Sequence, residues 1–406
     1  MGLDLMVWNF FVPLRPFFTM KVLFVCNNAF NPGNGLSASA LSTIKRLREN
    51  GVDARLMAVS NPNPDGPQPD FPLKHFKFPV FEPIIAYNGF CFATIDYKII
   101  RKAVEWADVV HFEEALFLEE AVMSVAKKMG KACVATFHLY PHNITANLGL
   151  PKRNLVNSIL LFNWKHLIFN KCSDIMCPTE VVRKYLADNG YKSRLHVCSN
   201  GTEVTGERIV TKPYGEGEVI NILSIGRLAN EKSQNTLIDA VRHSKYARRI
   251  RLQFAGNGPK ARKYHRMAEK LYNDGVVAVK PEFGFYDHAG LDELARKSYL
   301  YIHTAWVEVE GLSCLDATRV GAVPVIAEGD LIGTTVFALC PESLFPEYDS
   351  KALAERIDWW IEHPQERDRY SQLYADAARK YDVKDSIAAH IRMYEMAISD
   401  NQTSRR

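Results

Sequence analysis

Two carboxylates eight residues apart, Glu308 and Asp316, lie in the segment Trp306 to Ala327, WVEVEGLSCLDATRVGAVPVIA. The apolar Leu300, Tyr301 and Ile302 before it predict a buried strand, and Leu312 to Val320 reads as a helix opened by Gly311. One acid then sits in the loop leaving a strand and the other about one turn inside the next helix, so the pair can grip two parts of one polar ligand. The helix start adds unpaired N–H groups and partial positive charge, which suit a phosphate or a ribose hydroxyl. Taken alone, Glu308 and Glu310 read equally well as solvated loop acids and Asp316 as a surface helix position.

A second set is cationic. The strand expected over 219–225 delivers Gly226 and Arg227, with Lys232 just before a helix. A glycine, a guanidinium that forks two oxygens, a point-charge ammonium and a helix start make a physical site for a diphosphate. A further strand in RLQFAGNGP, 251–259, runs into Gly256 and Gly258. In the first half, His138 closes the strand-like KACVATFHLY, 131–140, on the edge where Asn28, Gly33, Asn34, Gly35, His111, Glu113 and Thr179 also gather. Gly33 to Gly35 lets backbone approach a ligand closely. The same glycines fit a dinucleotide fingerprint poorly, because the loop is long and the next strand lacks a ribose-binding acid.

The elements that must place these groups alternate strand and helix twice over. Lys21 to Asn28, 54–61, 107–114, 131–140 and 173–180 read as strands of one doubly wound parallel sheet, and the rhythm restarts after the stretch TKPYGEGEVIN. With 406 residues, 47% of them hydrophobic, the chain has material for two cores. A net charge of +4 argues against a nucleic-acid partner. The eight cysteines lack metal-type spacing and read as buried thiols of a reducing compartment. Residues 1–19 form an apolar extension, either a leader outside the native start or a membrane-dipping anchor. Residues 152–171 form an apolar helical stretch with basic ends, either a core helix or a membrane-facing one that uses Phe162 and Trp164.

These residues resemble the E-x7-E signature of the family 4 retaining glycosyltransferases, in which Glu308, Gly311, Leu312, Ala317 and Gly321 fall in place. Three positions depart: Asp316 stands for the usual Glu, Val309-Glu310 for Gly-Phe, and Pro324-Val325 come one residue late. Gly226-Arg227-Leu228 followed by Lys232 resembles the family's second signature, His138 its donor-side histidine, and Asn200-Gly201 its V-I-P-N-G-V-D segment. Bacterial members that glycosylate membrane lipids or cell-surface glycans are the nearest in character.

The resemblance implies an α/β chain of GT-B architecture, two facing Rossmann-like domains. Its expected divisions are 20–205 for the acceptor domain, 206–217 for a linker, 218–383 for the nucleotide-sugar domain, and 384–406 for a closing helix and tail. It implies a retaining hexosyltransferase that uses a UDP-linked sugar as substrate, with no cofactor and no metal. Arg227 and Lys232 would stabilise the leaving diphosphate, Glu308 would hold sugar hydroxyls, and His138 would position the sugar. Gly226, Gly256, Gly258, Phe285, Gly311, Leu312 and Asp316 would surround the donor, and Gly33, Asn34, Gly35 and Glu113 the acceptor or a phosphate. The expected acceptor is a membrane lipid or lipid-linked group, reached peripherally from the cytosolic face of the plasma membrane. A soluble or polysaccharide acceptor and a non-catalytic nucleotide-sugar-binding protein are the alternatives.

Overall fold

A computed structural model of the chain describes residues 19–31, 35–80, 82–87, 90–204 and 218–405. Expectations for residues 1–18, for Gly33 and Asn34, and for the linker 206–217 lie outside the described residues. In the first half the strands are β1 (Lys21–Val25), β2 (Asp53–Val59), β3 (Phe71–Leu73), β4 (His75–Phe76), β5 (Phe92–Ala93), β6 (Val109–Phe112), β7 (Ala132–Thr136), β8 (Asp174–Cys177) and β9 (Arg194–Val197). The second half supplies β10 (Ile220–Ile225), β11 (Ile250–Ala255), β12 (Glu282–Gly284), β13 (Leu300–His303), β14 (Val323–Glu328) and β15 (Leu344–Pro346).

Among the described residues these make two parallel sheets, ordered β3-β2-β1-β6-β7-β8-β9 and β12-β11-β10-β13-β14-β15, with β4 and β5 as a small antiparallel pair. Runs such as VVHF and LYIH are buried at every residue, as strands covered by helices on both faces must be. In each sheet the strand order reverses beside the first strand, at β1/β6 and at β10/β13. Crevices at such reversals, outside the carboxyl ends of the strands, are where ligands bind in open α/β sheets. The chain is therefore α/β with two Rossmann-like halves.

The last helix, Val383–Thr403, returns to the first half. Its Ile387, Met393, Tyr394 and Ala397 join Val22, Phe24 and Val134 in one core. Two expected strands are shorter than their apolar runs. β7 stops at Thr136 because Phe137 makes the last ladder bond, to the Met176 carbonyl at 2.9 Å, and Tyr140 N–H then turns to Asn143 Oδ1 to start the helix Pro141–Thr145. The apolar run VVAVKPEFG, 276–284, which also reads as a strand in the sequence, is strand only over Glu282–Gly284, since Val276 spends its N–H on Leu271 of the preceding helix and Pro281 has none to give. The stretch 152–171 becomes the helix Leu155–Leu167, capped by Asn154. Trp164 faces the core at 4% exposure, which removes it from any membrane-facing surface, whereas Leu155, Ile159 and Phe162 point outward. Among the described residues no helix is long and apolar enough to cross a membrane.

Candidate active site

At the end of β10 the chain turns at Gly226 with φ +143°, and a Cβ there would meet nothing within 4 Å. The turn opens onto free space. Gly256, φ +149°, is different: its Cβ would stand 2.1 Å from the Gly226 carbonyl oxygen, and a Cβ on Gly258 would stand 2.6 Å from that of Leu228. These two glycines let two loop backbones cross, with Gly226 N–H donating to Ala255 O at 2.9 Å and Leu228 N–H to Asn257 O at 3.0 Å. Their need comes from that crossing.

The loop that follows is stitched to the one leaving β13. Trp306 N–H donates to Glu231 O at 3.1 Å, Trp306 Nε1 to Asn230 O at 3.1 Å, and Thr304 Oγ1 to Lys232 O at 2.7 Å. Both candidate cations meet an acid here: Arg227 pairs with the buried Glu231 at 2.5 Å, and Lys232 Nζ donates to Glu308 Oε2. Residues 76 apart in sequence are thus joined at the strand-order reversal.

Glu308 is held by its backbone, donating to Leu331 O at 2.9 Å and accepting from Gly333 N–H at 2.7 Å. Behind the carboxylate stands a polar chain that the spacing of the sequence does not announce. His303 Nε2 lies 3.4 Å from Glu308 Oε2 and 3.3 Å from Thr334 Oγ1, and His303 Nδ1 is 3.2 Å from the Tyr301 hydroxyl. That hydroxyl reaches Ser313 Oγ at 2.9 Å. Burial pushes the Glu308 carboxyl up, but Lys232 and His303 more than offset it and hold the pKa at about 2. Glu308 is an anion at any physiological pH.

Gly311 caps the helix Leu312–Arg319 in the left-handed region, φ +87°, where a Cβ would stand 2.4 Å from Thr334 Oγ1. Leu312 is half-buried against the apolar layer beneath the helix. Asp316 lines a cavity of about 90 Å³ with Ile225, His288 and Ser313, and its Oδ1 accepts from Thr202 Oγ1 at 2.5 Å. One of its oxygens is already engaged within the protein. Phe285, just beyond β12, is 67% exposed, while Phe283 stacks between His265 at 3.7 Å and Phe254 at 4.7 Å.

Glu310 is no solvated loop acid. At 3% exposure it accepts from Ser199 Oγ and from Asn200 N–H at 3.1 Å and Nδ2 at 2.5 Å, joining the second half to the first. Burial raises its pKa to about 7 against those hydrogen bonds. Asn230 Nδ2 donating to Ala146 O at 2.9 Å, Thr179 Oγ1 to Val309 O at 3.1 Å, and the Lys152–Glu347 ion pair cross the same boundary.

On the first half, β6 ends at Phe112 and Glu113 follows it directly. Glu113 is not on an open acceptor loop: it is 2% exposed and lies beneath His138, with Oε2 2.7 Å from His138 Nε2. His138 is close enough to Glu310 to favour that acid's charged form, and Glu308 acts across the boundary on Tyr140. The polar edges of the two halves therefore face each other. Gly35 opens the helix Gly35–Glu49 with free space around its Cβ position.

Residues 33–205 match the family model described as Glycosyltransferase Family 4, and residues 211–375 the model described as Glycosyl transferases group 1. With one such match on each Rossmann-like half, the chain is a glycosyltransferase of GT-B architecture. A curated relative, the alpha-monoglucosyldiacylglycerol synthase of Streptococcus pneumoniae, is 24% identical over 270 residues, 61% of this chain and 58% of that protein. The match thus spans less than two thirds of the relative's length. The crystal structure of Anabaena Alr3699/HepE in complex with UDP and glucose superposes with TM-score 0.67 at 15% identity, covering 95% of this chain and 100% of that one. The catalytic domain of cholesterol-alpha-glucosyltransferase from Helicobacter pylori is 43% identical, covering 40% of this chain and 99% of that one with TM-score 0.38.

Proposed function

We propose that this chain is a retaining family 4 glycosyltransferase that moves a hexose from a UDP-linked donor to a membrane lipid or lipid-linked acceptor, without a metal ion. The observation that carries the reading is the Lys232–Glu308 pair at the β10/β13 reversal, a cation and an ionised carboxylate whose charge reaches Tyr140 of the first half. When a nucleoside diphosphate leaves an anomeric carbon, charge builds on its β-phosphate. Cations already fixed there stabilise the transition state more than the ground state. Lys232 and Arg227 would share that phosphate with their own acids. Glu308 would hold sugar hydroxyls beside the anomeric centre, Asp316 would keep its second oxygen for the ribose, and His138 would orient the reacting hydroxyls. Attack from the face that the diphosphate leaves gives retention.

The lipid acceptor has separate support. The helix Leu155–Leu167 exposes Leu155 at 74%, Ile159 at 50% and Phe162 at 61%, one stripe at helical spacing, with the exposed Arg153 just before its start. A basic-edged apolar stripe suits the surface of an anionic bilayer. The relative named for glucosyldiacylglycerol synthesis points the same way, and the free cysteines accord with the cytosolic leaflet.

The test is a panel of nucleotide sugars offered with and without a lipid extract in EDTA, reading released nucleotide and transfer of radiolabel into organic solvent, for wild type and Arg227→Ala. Label entering the solvent with one donor, and lost in the variant, supports the reading and names the sugar. Nucleotide release independent of lipid would replace the lipid acceptor by water or a soluble glycan. Donor binding without turnover would overturn the enzymatic reading.

A further inference from the structure

We propose that Glu113 is the positioning residue of His138, fixing which ring nitrogen of that histidine faces substrate; this rests on the role given to His138 above. The parallel register of β6 and β7, His111 opposite Val134, brings the two strand ends side by side. Glu113 lies just beyond one end and His138 two residues beyond the other. Glu113 Oε2 stands 2.7 Å from His138 Nε2, an ion-pair approach rather than an aligned hydrogen bond, and Oε1 stands 3.6 Å from His111 Nε2. Two imidazoles therefore flank one buried carboxylate. The question is which of them its charge serves.

His111 is fully buried and both its nitrogens are engaged by hydroxyls, Nδ1 with Tyr394 at 2.6 Å and Nε2 with Thr136 at 2.8 Å. A hydroxyl can donate to one nitrogen and accept from the other, so the neutral ring is satisfied as it stands. Burial keeps it neutral, taking its pKa down to about 3. His390, whose ring centre is 5.8 Å from that of His111, is buried too and gives its Nδ1 to the Ser386 carbonyl at 2.9 Å. Glu114 turns away to Asn27, whose N–H and Nδ2 reach it at 2.7 and 3.1 Å. The Glu113 charge also acts on His111 and His390, but among the described residues the imidazole nearest to it is that of His138, at 2.7 Å. A carboxylate beside Nε2 draws the ring proton to that nitrogen. The Nδ1 lone pair is left to accept from a sugar or acceptor hydroxyl. Tyr394 belongs to the last helix, so the seat of Glu113 is built partly by the end of the chain.

The experiment is nitrogen-15 NMR of the full chain labelled in histidine, at a pH where the ring is neutral, with the His138 signals assigned by their loss in His138→Asn. Wild type should show the Nε2-protonated tautomer, and Glu113→Leu a mixture of both. An Nδ1-protonated ring in wild type, or no change in Glu113→Leu, overturns the proposal. The kinetic arm uses Glu113→Gln, which should lower kcat about 10- to 100-fold with the donor KM within about twofold. The same change made on His138→Ala should cost nothing more; independent, multiplying losses would overturn the proposal. Absence of transfer from every donor would sink the functional reading alone, leaving the tautomer to decide this one.

Discussion

Lys232 and Glu308 form an ion pair across 76 residues of sequence, each delivered by a different strand of the second sheet at the point where strand order reverses. Neither side chain is free in solvent, at 24% and 15% exposure. Removing Lys232 leaves Glu308 largely buried with His303 as its remaining recorded partner. Lys232→Ala should therefore cost about 3 kcal/mol of stability. Adding Glu308→Gln should return most of that stability. It should not return turnover, which is expected to fall about 100- to 1000-fold in both variants. Urea unfolding beside initial rates separates the two effects, and a double variant that regained activity would remove Lys232 from the chemistry.

Gly256 and Gly226 make a contrasting pair. Alanine at 256 would drive a methyl to 2.1 Å from the Gly226 carbonyl and keep a positive φ, so a loss of about 3 kcal/mol or more is expected. Alanine at 226 meets open space and should lose only the backbone strain, about 1 to 2 kcal/mol. Its methyl would project where the diphosphate is proposed to lie, and donor KM should rise. Thermal melts and donor titrations check both, and equal destabilisation by the two would contradict the crossing of the loops.

Glu310 gives the pH dependence a sign. Its folded pKa, about 7, lies above the ordinary 4.5, so the folded state holds the proton more tightly. Its contribution is present below pH 4.5 and is lost as pH rises through 7, a change of about 3 kcal/mol. Glu310→Gln should remove that slope and be the more stable protein at pH 8, relative to wild type, than at pH 5. Denaturant midpoints at the two pH values measure it. A wild type equally stable at both, once compared with the variant, would refute the assignment.

The two-sheet architecture was legible because fully apolar runs with polar ends can hardly be anything but buried parallel strands, and because Gly226, Arg227, Lys232, Glu308 and Gly311 keep recognisable spacings. What spacing could not carry was burial. Glu310 and Glu113 look like surface acids in a string of letters, yet each is closed in by residues more than 20 positions away, Ser199 and Asn200 for one, His138 for the other. His303 behind Glu308 and Tyr394 behind His111 are likewise tertiary facts, fixed by a neighbouring loop and by a helix returning from the far end of the chain. Trp164 shows the same limit from the other side, since an aromatic in an amphipathic stretch can face either way and here faces inward.

Ile159 and Phe162 carry the last prediction. Both are half or more exposed, so replacing either by glutamate removes little packing and should leave the melting temperature within a few degrees of wild type. On a bilayer the same charges would have to leave the apolar boundary where these side chains are proposed to rest. Binding to vesicles of phosphatidylglycerol and phosphatidylcholine, measured by co-sedimentation at low ionic strength, should fall about 10-fold or more for the double variant. Transfer to a lipid acceptor in vesicles should fall with it, while the same acceptor in detergent is used as well as by wild type. If the variant sediments with vesicles as wild type does, the stripe Leu155, Ile159 and Phe162 is not the membrane face, and the lipid acceptor loses the structural support proposed for it.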